Sequence, residues 1–166
     1  MSFPFISGDP VLVNDPTPKA KPGGCYYTAS DGGSTLGRKW RYCKSEDDLV
    51  AGDVVCWADS VDGYTVTRTA AGALVGTPLG SVVRPAGVAQ GTVTAGRWFY
   101  AQVAGKGTVR GDGSVAAGDF IVVDGGTTPA RNADTAVAGE EHGIFGQALD
   151  ADTGSPALFN AELWIA

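Results

Sequence analysis

The 166-residue chain carries a net charge of −6 and is 43% hydrophobic but only 18% charged, which suits one or two small domains with a real core. Its Lys and Arg are scattered, so no basic face exists to neutralise phosphates, and direct nucleic-acid binding is not expected. No apolar run approaches the ~20 residues of a membrane helix, and the first residues lack a basic-then-apolar leader pattern, so a soluble protein used without secretion, with no membrane partner, is expected.

The 25 glycines and 9 prolines punctuate the chain into short pieces. Helical apolar spacing is interrupted by Gly throughout. Short runs containing Val, Tyr and Trp between Gly, Asp, Ser and Thr read as strands and turns. The expected fold is all-β, a compact sandwich or barrel-like body.

Residues 1–37 stand apart as an extended, proline-rich N-terminal arm. Pro4, Pro10, Pro16, Pro18 and Pro22 lie here. The stretch NDPTPKAKPGG, Asn14 to Gly24, suits polyproline-like chain, because Pro donates no backbone hydrogen bond to a sheet. The arm also carries Phe3, Phe5, Ile6, Val11, Leu12 and Val13. These are the candidate interface residues. An arm folded back over its own body buries them internally, and an arm crossing to a neighbour buries them at an interface. The sequence leaves both open.

Residues 38–166 read as the β body. RKWRYCK alternates, with Trp40 and Tyr42 on one face and Arg41 and Cys43 on the other. A polar turn then closes on Ala51-Gly52-Asp53 before VVCW, and Asp62-Gly63 signals a hairpin turn. A second Ala-Gly-Asp, at 117–119, precedes FIVV in the same context. Gly87-Val88-Ala89 is matched by Gly146-Gln147-Ala148, and FYAQV from Phe99 by FNAEL from Phe159. The shared order predicts two related units, about 40–104 and 106–166, which could pack face to face. Gly52 and Gly118 supply backbone angles that other residues resist, and each following Asp can bond a nearby N–H. GRWFYAQVAG carries aromatics on both faces, which requires a central strand or one covered by a partner. The closing ELWIA places Trp164 and Ile165 on opposite faces of a strand tied into the sheet.

Sites for chemistry are scarce. Cys25, Cys43 and Cys56 are widely spaced and odd in number, so they read as buried thiols outside any disulfide or metal site. His142 is the sole histidine, beside Glu140 and Glu141. A Ser–His–acid set could be drawn with Ser81 or Ser114, but no nucleophile elbow supports it. Asp112 and Asp119 do not complete a calcium loop, since Ala116 and Val123 fall at ligand positions. Glu46, Asp47 and Asp48 read as a solvated turn. No phosphate-cradling motif is present. Neither catalysis nor a cofactor or metal is expected.

The segment LGRKWRYCKSEDDLVAGDVV, with VAAGDFIVVDGG, GIFGQALDADTG and AELWIA after it, resembles the capsid decoration, or cement, proteins of tailed bacteriophages. Arg38, Trp40, Tyr42, Gly52 and Asp53 carry the first motif; Gly118, Asp119, Gly146, Ala148 and Leu163 carry the second. The proline-rich start and the stretch Ala70 to Pro85 depart from the pattern. The resemblance implies an all-β virion protein on the outer capsid surface, present in the host cytoplasm during assembly, with the major capsid protein as partner and no catalysis. Self-association as a homotrimer would suit local three-fold positions. Two rival readings remain: a small β hydrolase using His142, and a head-surface glycan- or receptor-binding module in which exposed Trp40, Trp57 or Trp98 stacks on sugars.

Overall fold

The computed structural model describes residues 10, 13–28, 37–58, 62–68, 85–123, 133–137, 143–154 and 156–165. Among them are ten strands in one hydrogen-bonded sheet: β1 Cys25–Tyr27, β2 Lys39–Ser45, β3 Val54–Trp57, β4 Thr65–Thr67, β5 Pro85–Ala89, β6 Trp98–Gly111, β7 Phe120–Val123, β8 Ala133–Thr135, β9 Gly146–Ala148 and β10 Ala157–Trp164. His142, Glu140, Glu141 and Ser81 lie outside the described residues.

The sheet closes on itself twice. The order β2-β4-β3-β5-β6 returns to β2, and the order β6-β10-β9-β7-β8 returns to β6. The result is two small five-stranded barrels threaded on one 14-residue strand, β6. Closure leaves few free edges for unwanted pairing. The units therefore share a strand and stack along it.

The two barrels have the same construction. β2 runs parallel to β4, and β6 parallel to β8; the remaining ring pairs are antiparallel in both. Register matches at the core positions, although the first barrel carries a β-bulge at Lys39/Trp40 that the second lacks. Val55 faces Gly87 in the first, and Ile121 faces Gly146 in the second. Cys43 faces Phe99, and Val109 faces Phe159. Ala89 faces Ala101, and Ala148 faces Ala161.

The Ala-Gly-Asp turns launch β3 and β7 by one mechanism. Gly52 and Gly118 have φ of +89° and +92°, in the left-handed region that a Cβ resists. Each following carboxylate accepts the amide three residues back: Val50 N–H to Asp53 at 3.0 Å, and Ala116 N–H to Asp119 at 2.9 Å. The glycine amides then bond Ala89 O at 2.7 Å and Ala148 O at 2.9 Å.

The cores correspond too. The first holds Cys43, Leu49, Val55, Val66 and Phe99; the second holds Val109, Val115, Ile121, Ala133 and Phe159. Small Ala86 in one is matched by Phe145 in the other. Val93 is matched by Asp152, whose carboxylate accepts the Gly113 and Gly154 amides at 2.6 and 2.9 Å. A buried carboxylate at a core position needs such donors.

Candidate interaction surfaces

Three surfaces distinguish the ends and middle of this stack: the outer face of β2 and β6 at the front, the seam between barrels, and the far face of the second barrel.

The front face is aromatic. Tyr42 stacks on Trp98 with centroids 5.5 Å apart and lies 4.8 Å from Tyr100, and Tyr64 lies tilted against Trp98 at 5.2 Å. Tyr26 meets Tyr100 edge-on at 5.5 Å. Residues 13–28 lie over this face. Asp15 makes a two-bond bridge with Trp98, at 2.9 and 2.8 Å, and Asn14 exchanges bonds with Thr94. The Tyr42 hydroxyl donates to Asp15 at 3.1 Å and accepts the Lys19 amide at 3.1 Å; Lys19 also pairs with Asp15 at 2.8 Å. Gly23 and Gly24 bond the Tyr42 backbone, and β1 continues as a strand against β2. Burial pushes the Tyr42 phenol up to about 12, and raises that of Tyr100 too, because a phenolate here would lose its water.

Of the candidate arm residues, Phe3, Phe5, Ile6, Val11 and Leu12 lie outside the described residues. Val13 is half-buried, and its amide reaches Pro10 O at 3.5 Å. The segment after it is thus fastened to its own body.

The second surface is the seam. Here the outer side of the first barrel is covered by the second. Val54, Cys56 and Val88 point away from the first core and join the buried cluster of the second. The Arg110 amide donates to Gly52 O at 3.0 Å, and Gln90 exchanges two bonds with the Thr108 backbone at 2.9 and 3.0 Å. Gln102 is fully buried and donates to the carbonyls of Ala104, Gly105 and Lys106. Gly107 leaves it room, since a Cβ there would sit 2.8 Å from the Gln102 carbonyl oxygen. Asp53, also fully buried, faces Arg110 at 3.4 Å and Arg68 at 3.5 Å. None of this was evident from sequence, where Asp53 reads only as a turn residue.

The third surface is apolar and exposed. Phe120 is 51% exposed, Leu149 47% and Trp164 44%. Phe120 and Trp164 meet edge-on at 6.4 Å. Ile165, just past the end of β10, is buried while Trp164 is exposed.

Other candidates resolve structurally. Trp40 and Trp98 are buried, so neither can stack on a sugar; Trp57 is half-buried under the Arg41 guanidinium, 5.1 Å from its ring. Asp47 accepts Thr67 Oγ1 at 2.6 Å and the Arg68 amide at 2.8 Å, and Asp48 accepts the Ala95 amide, so the acidic turn ties loops together. Asp112 and Asp119 are engaged by Ser114 and by Ala116 and Thr135. Ser114 sits with Asp112 and Asp134. Cys43 and Cys56 are buried, and burial pushes the Cys43 thiol up to about 12.

No family model and no curated protein matches the chain. Among solved structures it is similar to the crystal structure of the head fiber gp8.5 N base in bacteriophage phi29. The identity is 13%, the match covers 76% of this chain and 94% of that one, and the TM-score is 0.50. At that identity the likeness is one of fold.

Proposed function

We propose that the chain is a structural virion protein, not an enzyme, that binds the outer surface of an icosahedral phage capsid and stabilises it by bridging capsomers. The observation that carries this reading is the coincidence of two independent lines. The sequence motifs resemble phage cement proteins, and the fold is similar to a phage head fiber base. The major capsid protein is the proposed partner, with a homotrimer as the assembled form.

The physics of the role is burial. An adhesive that adds apolar contact across a capsomer seam gains roughly 25 cal/mol per Å² before association costs. Repetition over a lattice multiplies small gains per copy. Residues 1–12 suit such a contact. They carry Phe3, Phe5, Ile6, Val11 and Leu12 ahead of the point where Asn14 and Asp15 fasten the chain to its own body. In this reading they meet the shell.

The test is cosedimentation with expanded shells of the major capsid protein encoded in the same genome. The full chain should pellet saturably. A chain lacking residues 2–12 keeps Asp15 and Lys19 in place, so it should stay folded and lose at least tenfold in affinity. If the full chain does not pellet, the reading fails. Equal binding by both chains would remove the N-terminal segment from the contact.

A further inference from the structure

Residues 13–28 lie on the first barrel as the first barrel lies on the second. Tyr42 and Thr108 are equivalent positions, paired with Tyr100 and Asn160 one step beyond the matched core phenylalanines. Outside the first barrel, the Gly23 amide donates to Tyr42 O at 2.8 Å and Gly24 O accepts the Tyr42 amide at 3.0 Å. At Thr108 the Gln90 side chain takes the same two groups: its Nε2 donates to Thr108 O at 2.9 Å and its Oε1 accepts the Thr108 amide at 3.0 Å. The molecule thus has a linear order: residues 13–28, first barrel, seam, second barrel. The Ala-Gly-Asp turns mark its far end. A Cβ on Gly52, in the seam, would meet Leu158 and Arg110 of the second barrel, whereas one on Gly118, its counterpart, would meet nothing within 4 Å. Exposed Leu149 follows Gly146–Ala148 as Gln90 follows Pro85–Ala89, so it belongs to the same far end.

The first residues of the chain leave from the opposite end. Asn14 and Asp15 are fastened to Thr94 and Trp98, and the Val13 amide reaches Pro10 O at 3.5 Å. A chain advances at most about 3.6 Å per residue. Counted back from Pro10, Ile6 therefore comes no farther than about 14 Å, Phe5 about 18 Å and Phe3 about 25 Å. Packed β layers lie about 10 Å apart, so the outer wall of the first barrel and the far wall of the second are separated by about 30 Å, three such gaps. These apolar groups can reach a surface lying against residues 13–28. They fall short of one lying beyond the second barrel.

We infer that the side of the molecule covered by residues 13–28 faces the capsid, and that the second barrel projects outward with Gly118 and Leu149 turned away from the shell. This placement rests on the capsid reading and adds the docking face to it. Pro16, Thr17, Pro18, Lys19, Lys21 and Pro22 are exposed on that side. The stretch is already held in place, because the Lys19 and Lys21 amides donate to the Tyr42 and Tyr26 hydroxyls at 3.1 and 2.9 Å. Its prolines fix φ as well, so little conformational freedom is lost when it meets a surface.

The test is shell cosedimentation of two full-length chains that each carry one bulky maleimide adduct, at Thr17→Cys or at Leu149→Cys. Both are made in a Cys25→Ser background, where the remaining cysteines, Cys43 and Cys56, are buried. Before labelling, both chains should pellet with the affinity of the native chain. The adduct at position 17 should then weaken binding at least tenfold, and the adduct at position 149 less than twofold. Hydrogen exchange on the native chain supplies a readout that needs no variant. Amides of residues 14–24 should gain protection on shells, and those of 116–119 and 149–151 should not. A native chain that does not pellet ends the capsid reading and this placement together. If the native chain pellets, the placement alone is overturned when the adduct at 149 blocks binding, when neither adduct does, or when protection rises at 116–119 and 149–151.

Discussion

Gly52 and Gly118 occupy the same turn in two barrels, share a left-handed φ, and differ in what surrounds them. Replacing each by Ala separates backbone strain from packing. Placing an L-residue at this φ costs about 1–2 kcal/mol. Gly118→Ala should cost that much, since open space surrounds it. Gly52→Ala adds a Cβ that overlaps Leu158 and the Arg110 amide, the same amide that donates to Gly52 O at 3.0 Å. Overpacking of this kind costs about 1–3 kcal/mol, and a stretched hydrogen bond about 1 more. The expected total at Gly52 is about 3–6 kcal/mol. At about 2–4 °C per kcal/mol for a chain of this size, the melting midpoint should fall by about 6–24 °C at Gly52 and about 2–8 °C at Gly118. Urea denaturation monitored by tryptophan fluorescence, with matching slopes, converts both to free energies. Equal losses within about 0.5 kcal/mol would refute the claim that the seam, and not the turn alone, sets the requirement at Gly52.

Other outcomes follow from the same contacts. Asp53→Ala removes the carboxylate facing Arg68 and Arg110 and strands a guanidinium in the seam, so about 3–5 kcal/mol should be lost by urea denaturation; Asp119→Ala, in the open turn, should lose about 1. Native alkylation followed by mass spectrometry should modify half-buried Cys25 and spare Cys43, whose thiol is held protonated by burial, while denatured chain takes up label at both. Tyr42 ionises near its usual value when unfolded but near 12 when folded, so the unfolded chain loses its proton first; stability should hold below pH 10 and fall between pH 10 and 12, with a smaller fall in Tyr42→Phe. Asp150 shifts the other way, lowered by the Asn160 side chain and then its amide. Its contribution is present above its ordinary value and lost as pH falls, so Asn160→Ala should move the Asp150 carboxyl resonance upward in an NMR titration.

Local chemistry made the turns readable. Gly52, Gly118 and Asp62-Gly63 announce themselves because positive φ and short side-chain-to-backbone bonds are properties of neighbouring residues. The matched spacing of Gly-Asp, Gly-x-Ala and Phe-x-Ala coincides with register in the folded barrels. Long-range features were hidden. The expected units, about 40–104 and 106–166, put a boundary at residue 105, yet β6 runs through it and serves both barrels. Period-2 alternation separates Tyr42 from Cys43 but cannot say that chain from residues 13–28 will bury the outer side as well. Nor does it tell Trp98, which that segment covers, from Trp164, which nothing described covers. Burial of a side chain depends on what arrives from elsewhere, and Gln102 sits at the junction only because two barrels meet there.

The role proposed for this protein is to strengthen a viral shell from outside. DNA-filled heads stripped of it, then re-supplied with purified chain, test that most directly when heated in the presence of a dye that reports released DNA. Re-supplied heads should release DNA at a temperature several degrees higher than bare heads, with the gain saturating as sites fill. An identical release temperature with and without the chain, at concentrations that saturate any binding, would contradict the account.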